Sequence, residues 1–71
     1  MKYEDATNEE LTSILKEYVD TRYWNIINFT HVIENAEIEE EIVWFDLGVC
    51  KIGLYCDTLE YADVSCIVNN S

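Results

Sequence analysis

The chain has 71 residues, 49% of them hydrophobic, and its 15 acidic side chains against four basic ones give a net charge of −11. Folding a chain of this size removes only about 60% of its unfolded surface from water, so residues 1–71 are expected to form a single compact acidic domain with one core. This charge excludes direct binding to nucleic acid or to an anionic membrane, because both require cationic side chains. A partner selected by electrostatics must therefore be basic.

The N-terminal residues MKYEDATNEE contain no apolar segment of the kind that a secretory signal requires. No run in the sequence approaches the roughly 18 apolar residues that are needed to span a bilayer. Three cysteines are an odd number, which fits reduced thiols better than a disulfide framework. We therefore expect a soluble cytoplasmic protein.

The first helix is predicted where Thr7 and Glu10 match the capping-box pattern, with Asn8 as a competing cap. Apolar residues then follow at helical spacing and form one stripe, at Leu11, Ile14, Leu15, Tyr18 and Val19. We expect the helix to end near Arg22, whose positive charge suits the negative end of the helix dipole.

The next segment, Trp24 to Glu34, is rich in Ile, Val, Phe and Thr and is predicted to be the first strand. One face of this strand would carry Ile27, Phe29, His31 and Ile33. A helix that continues to Glu34 is the competing prediction, because periodicity separates the two structures poorly in a short run. A turn is expected at residues 34–37.

Two strands are predicted around residues 39–47 and 49–56, separated at Gly48, and a last strand follows a turn at residues 57–60. Alternation places three sets of residues on the core side: Val43, Phe45 and Leu47; Cys50, Ile52, Leu54 and Cys56; and Ala62, Val64, Cys66 and Val68. The predicted fold class is α+β, with one N-terminal amphipathic helix packed on a small antiparallel sheet of about four strands.

A single helix would cover only one face of such a sheet. The other face is predicted to carry large apolar residues interspersed with polar ones, namely Ile42, Trp44, Tyr55, Tyr61 and Ile67 with Asp46, Lys51, Asp57, Asp63 and Ser65. Large apolar side chains exposed together are typical of an interface. The alternative is that Trp24 or the N-terminal segment folds over this face.

The only set of residues with the types that bind metals is His31 with Cys50, Cys56 and Cys66, and no two of these have the close spacing of a structural zinc site. We expect the cysteines to act as small buried hydrophobes. A reactive thiolate needs a cationic setting, and acid–base catalysis needs a cleft that shifts a pKa. The sequence indicates neither, so we expect no metal, no other cofactor and no enzymatic activity.

The acidic residues remain to be explained, because a merely solvated surface would mix the two signs of charge. Glu37, Glu39 and Glu41 alternate along a predicted strand and would form a row of carboxylates on one face. Further acids lie on the outer face of the helix and in the 57–63 segment. The predicted partner-binding residues are Glu37, Glu39, Glu40, Glu41, Trp44, Asp46, Tyr55, Asp57, Glu60 and Asp63.

In size, charge and absence of catalytic motifs, the chain resembles the small acidic inhibitors that phages encode against host nucleic-acid machinery, including anti-CRISPR proteins and DNA mimics. The resemblance implies a protein of the host cytoplasm that binds a nucleic-acid-binding protein or CRISPR effector complex. It implies no particular site residues.

Two other functions fit the same residues. An immunity protein or antitoxin that neutralises a basic nuclease toxin would need the same electrostatics. A homodimeric structural module would instead pair the open sheet face with a second copy of itself.

Overall fold

The computed structural model of the chain describes residues 1–66. It has two α-helices and a four-stranded antiparallel sheet with strand order β1-β2-β3-β4, so the predicted α+β class is confirmed. The helices are α1 (Asn8–Lys16) and α2 (Phe29–Glu34), and the strands are β1 (Glu37–Glu39), β2 (Ile42–Asp46), β3 (Cys50–Tyr55) and β4 (Tyr61–Cys66). Short 3-10 turns occupy Tyr3–Asp5 and Thr21–Tyr23.

Helix α1 begins with the predicted capping box. The Glu10 amide donates to Thr7 Oγ1 at 3.1 Å, and the Thr7 amide donates to Glu10 Oε1 at 2.8 Å. The helix ends at Lys16, earlier than the predicted end near Arg22. The chain turns back instead, because the Trp24 indole donates to the Val19 carbonyl at 3.0 Å and its ring lies 5.1 Å from the Lys16 ammonium.

The predicted first strand is wrong, because its second half is helix α2. The Asn28 side chain caps this helix by accepting a hydrogen bond from the His31 amide at 3.1 Å. Phe29, Val32 and Ile33 are then buried on one face, with the spacing of a helical stripe. His31 is exposed and does not share a face with Phe29 and Ile33. Burial against the sheet has therefore outweighed the strand preference of the β-branched residues.

The predicted strand at residues 39–47 is also divided in two. Glu39 pairs with Ile42, so Glu40 and Glu41 form a two-residue turn between β1 and β2. Glu40 has a φ of 60°, which a glutamate seldom adopts. The predicted row of Glu37, Glu39 and Glu41 is therefore incorrect: the first two lie on β1, and the third lies in the turn.

The predicted turns at Gly48 and at residues 57–60 are present. An irregularity between β3 and β4 pairs Gly53 with Asp63 but Leu54 with Tyr61, which leaves Ala62 as an extra residue. Tyr61 is therefore on the helix side of the sheet, where its ring centroid lies 5.4 Å from that of Tyr18, and its predicted place on the other face is wrong. Ile67 and Val68 lie outside the described residues.

The core lies between the two helices and the inner face of β2 and β3. Val43, Phe45 and Leu54 are completely buried, and α1 contributes Leu11 and Leu15. The predicted inner positions of β2 and β3 are confirmed, with Cys50 and Cys56 half-buried against this core. In β4, none of residues 61–65 is buried, so the helical layer does not extend over the last strand.

Candidate interaction surface

The face of the sheet that points away from the helices is here called the open face. Residues directly opposite each other in an antiparallel sheet lie on the same face, so the strand register defines its members. Glu37 pairs with Trp44, Trp44 with Gly53, and Gly53 with Asp63, which links all four strands. The open face comprises Glu37, Glu39, Ile42, Trp44, Asp46, Lys51, Gly53, Tyr55, Asp63 and Ser65.

The centre of the open face is the Trp44 indole, which lies over Gly53. A Cβ atom placed on Gly53 would come 3.1 and 3.2 Å from two atoms of the Trp44 six-membered ring and 2.8 Å from Ile42 Cγ2. The absence of a side chain at Gly53 therefore lets the indole pack against the backbone. Trp44 is half-buried as a result, while Tyr55 keeps 44% of its surface exposed.

The two segments that could have covered the open face lie elsewhere. Trp24 is held beside α1 by its hydrogen bond to Val19. The Tyr3 ring packs edge-on against Phe45 on the helix side, with ring centroids 6.3 Å apart. Among residues 1–66, neither the Trp24 side chain nor the N-terminal turn shields Trp44 and Tyr55 on this face.

Two acidic turns lie together at one end of the sheet. The Cys56 amide donates to the Glu41 carbonyl at 2.9 Å, which joins the β1–β2 turn to the segment that follows β3. We call this the acidic end, and its members are Glu40, Glu41, Asp57 and Glu60. All four are exposed, and they continue the negative charge of Glu37, Glu39 and Asp63 on the open face.

Almost none of this charge is neutralised internally. In the part of the chain that the structure describes, the one ion pair joins Arg22 to Asp20, with 3.4 Å between Nε and Oδ2, and it lies in the helical layer. Lys16 faces the Trp24 and Phe29 rings in the same layer. Lys51 is the one basic residue assigned to the open face, opposite Asp46 and Ser65 on the neighbouring strands.

Two shallow concavities meet at the centre of the open face. They have volumes of about 470 and 340 Å³ and share Glu37, Trp44 and Lys51. The first also includes Glu39 and Ser65, and the second reaches His31 and Asp46. An aromatic surface, carboxylates and one ammonium group are therefore available to the same bound side chain.

Among the side chains that the structure describes, those with catalytic or metal-binding potential do not assemble into a centre. The His31 ring is beside the Asn35 side chain, whose amide group also donates to the His31 carbonyl at 2.8 Å. Within residues 1–66, no group of three or more His, Cys, Asp or Glu side chains is placed to hold a metal ion. Burial, together with the negative charges of Asp57 and Glu41, raises the pKa of Cys56 and disfavours its thiolate.

The structure brings six of the ten predicted partner-binding residues onto the open face and places the other four at the acidic end. The open-face residues are Glu37, Glu39, Trp44, Asp46, Tyr55 and Asp63. Asp57 was predicted on the open face but lies in the turn after β3. The sequence analysis missed the role of Gly53, although a glycine inside a strand often marks a place where another group approaches the backbone closely.

The fold and this surface together define a small α+β protein whose uncovered sheet face is aromatic at its centre and acidic around it. Comparisons with protein-family models, with curated proteins and with solved structures gave no match. In residues 1–66, neither helix has the length and apolar character needed to cross a membrane.

Proposed function

We propose that this chain is an inhibitor of the kind that phages encode, which binds a basic nucleic-acid-binding protein and blocks its DNA-contacting surface. The most specific form of the proposal is a CRISPR effector complex as the target. The proposal rests on one observation: within the part of the chain that the structure describes, Trp44 and Tyr55 are uncovered on a sheet face whose carboxylates form no ion pair. The chain would act by occupying a site and not by catalysis.

The arrangement of the carboxylates supports recognition of a repeating basic surface. Glu37 and Glu39 lie on one strand, about 7 Å apart, because alternate residues of a strand are separated by twice its rise. Asp63 lies three strands away, at about 14 Å, since neighbouring strands are nearly 5 Å apart. A groove that binds DNA presents cations to a rigid row of phosphates, and a rigid sheet with spaced carboxylates can meet the same cations.

Half-buried Trp44 and exposed Tyr55 would supply the affinity and specificity that charge alone cannot provide. Surface ion pairs contribute about 0–1 kcal/mol each, so a purely acidic surface would bind weakly and with little specificity. Tryptophan and tyrosine are typical binding hot spots, and they can stack on the guanidinium groups or the base platforms of a DNA-binding site. Trp44 is fixed in place by Gly53, which reduces the conformational entropy that would be lost on binding.

The experiment compares two triple charge reversals in a pull-down from bacterial lysate, with mass spectrometry to identify the retained protein. The first variant reverses open-face acids: Glu37→Lys, Glu39→Lys and Asp63→Lys. The matched control makes the same change in net charge on exposed acids of the helical layer: Glu9→Lys, Glu17→Lys and Glu34→Lys. Far-UV circular dichroism establishes that both variants are folded.

The proposal predicts that the control retains the partner and that the open-face variant loses it. Equal loss in both variants would show that only net charge matters, which contradicts a defined binding face. Retention of the partner by both variants would exclude the open face as the binding site. A small basic nuclease as the retained protein would favour the immunity-protein function instead.

A further inference from the structure

The last strand of the sheet, β4, has a neighbouring strand on one side. The strand order is β1-β2-β3-β4, so within residues 1–66 no strand pairs with the outer edge of β4. The other edge strand, β1, has three residues, whereas β4 has six. An uncovered edge of this length presents backbone donors and acceptors that can pair with another chain.

The strand register shows which backbone groups point outward. The Tyr55 amide donates to the Glu60 carbonyl at 2.9 Å, so the odd-numbered residues of β3 direct their backbone groups toward β4. Gly53 is one of these residues and pairs with Asp63, whose own backbone groups therefore point into the sheet. Val64 follows Asp63, so its amide and carbonyl point to the outer edge.

The Asp63 side chain occupies one of these outward groups. Its Oδ1 atom accepts a hydrogen bond from the Val64 amide at 2.8 Å. A cationic side chain beside Asp63 would attract this carboxylate, and the Val64 amide could then donate to the carbonyl of an added strand. Opposite charges on neighbouring strands also stabilise the pairing. The edge therefore favours a basic strand over a neutral or acidic one.

The helix side of β4 offers apolar contacts to the same strand. Val64 lines a shallow apolar concavity of about 330 Å³ with Tyr18 and Tyr61, and all three side chains are exposed. Side chains alternate between the two faces of a strand. An added strand would therefore direct every second side chain toward this concavity and the others beside Asp63, which suits a segment of alternating apolar and basic residues.

A second copy of this chain does not have that chemistry. Its two edge strands carry Glu37 and Glu39 on β1 and Asp63 on β4. Self-pairing would bring carboxylates together in a protein whose net charge is already −11, and like charges opposite each other destabilise a strand pair. Charge complementarity therefore selects a basic segment of another protein.

We propose that the outer edge of β4 is a docking site for an extended segment of a partner protein in which basic and apolar residues alternate. The segment adds to the sheet as a further strand, bonded to the backbone of Val64, with its cations beside Asp63 and its apolar side chains over the Tyr18–Tyr61 concavity. This inference goes beyond the proposed function, because it concerns the edge of the sheet and requires no nucleic-acid-binding partner.

The test titrates the isotope-labelled full-length protein with a blocked six-residue peptide of alternating lysine and valine, followed by NMR. We expect saturable shifts of the Val64 and Tyr61 amide resonances and slower solvent exchange of the Val64 amide. A peptide of the same composition, with the three lysines in one block and the three valines in another, is the control for charge attraction. Equal binding of the block peptide, or no binding of the alternating one, would overturn the proposal.

Two N-methylated peptides test whether the backbone pairs. In an antiparallel pair, the valine amides of the peptide face β4 and the lysine amides face solvent. Methylation of the valine nitrogens should abolish binding, and methylation of the lysine nitrogens should preserve it. Equal binding of the two methylated peptides would overturn strand addition.

Two protein variants test the carboxylate. Asp63→Asn keeps an oxygen that can accept from the Val64 amide but removes the charge, so it should bind the alternating peptide several-fold more weakly. Glu34→Gln removes one charge from an exposed position of the helical layer and should bind as the wild type does. Equal affinity of the Asp63 variant would overturn the preference for a basic strand.

Light scattering of the protein alone gives the remaining outcome. A dimer that the peptide dissociates would assign the edge to a second copy and overturn the proposal. The titration uses only this protein and a synthetic peptide, so its failure leaves the result of the lysate pull-down unaffected.

Discussion

The Trp44 indole lies directly on the backbone of Gly53, with the glycine so close that a Cβ atom there would meet the ring at 3.1 Å. These two residues are cross-strand partners on β2 and β3. A large aromatic side chain is thereby oriented flat on the uncovered face of the sheet, where it is half-buried and still accessible. The candidate surface therefore depends on a residue with no side chain.

Gly53→Ala should destabilise the fold by about 1–3 kcal/mol, because a crowded site must displace its neighbours. The closest neighbour is Ile42 Cγ2 at 2.8 Å, a branched methyl group that is held close to the backbone. Alanine would otherwise be the better strand residue, so a stabilised variant would contradict the packing described here. Urea denaturation measures the change, and Trp fluorescence in a Trp24→Phe background reports the displacement of Trp44.

Glu40→Asn should stabilise the fold by about 0.5–1 kcal/mol, because Asn tolerates the left-handed backbone conformation better than Glu does. Glu40 has a φ of 60° and is exposed in the β1–β2 turn. The change also removes one negative charge from the acidic end. Glu41→Gln is the control, since it removes a neighbouring charge without a positive φ, and it should give a smaller increase in unfolding free energy.

The thiol of Cys56 should make stability fall in alkaline solution. Burial, then Asp57 and Glu41, raise its pKa in the folded state above the unfolded value. A raised pKa favours the neutral thiol in the folded protein, so this contribution is complete below the unfolded pKa and is lost as the pH rises through the folded pKa. Denaturation midpoints of wild type and Cys56→Ser between pH 7 and 10.5 should therefore converge at the alkaline end, and a constant difference would contradict the assignment.

Lys51→Ala should accelerate association with the retained partner several-fold at low salt, because it removes the one basic residue of the open face. Lys16→Ala is the matched control: it makes the same charge change in the helical layer, beside Trp24. Biosensor association rates at two ionic strengths provide the measurement. Slower association of the Lys51 variant would show that the ammonium group contacts an acidic group of the partner.

The parts of the fold that the sequence predicts well are those fixed by local chemistry and by alternation. The capping box at Thr7 and Glu10 satisfies the first amides of α1 whatever the rest of the chain does. Val43, Phe45, Ile52 and Leu54 are buried as their period of two predicts.

The incorrect predictions have specific causes. Residues 29–33 combine β-branched and aromatic side chains, yet the Asn28 cap and the burial of Phe29, Val32 and Ile33 stabilise a helix there. The β1–β2 turn falls on Glu40 and Glu41, where no glycine, asparagine or proline signals it.

The candidate surface could be predicted in composition but not in arrangement. Alternation places Ile42, Trp44 and Tyr55 on one face, and the structure agrees. The irregularity that moves Tyr61 to the other side of the sheet depends on the pairing of two distant segments, and single-sequence alternation carries no information about such a shift.

Competition between this protein and duplex DNA for the captured partner tests directly whether the open face occupies the partner's DNA-binding surface. The partner is immobilised, saturated with the acidic protein, and titrated with duplex DNA at fixed ionic strength. We expect mutually exclusive binding, in which DNA displaces the protein completely. The Glu37→Lys, Glu39→Lys, Asp63→Lys variant should fail to compete with DNA. A stable ternary complex, in which the partner holds DNA and the acidic protein together, would contradict this expectation.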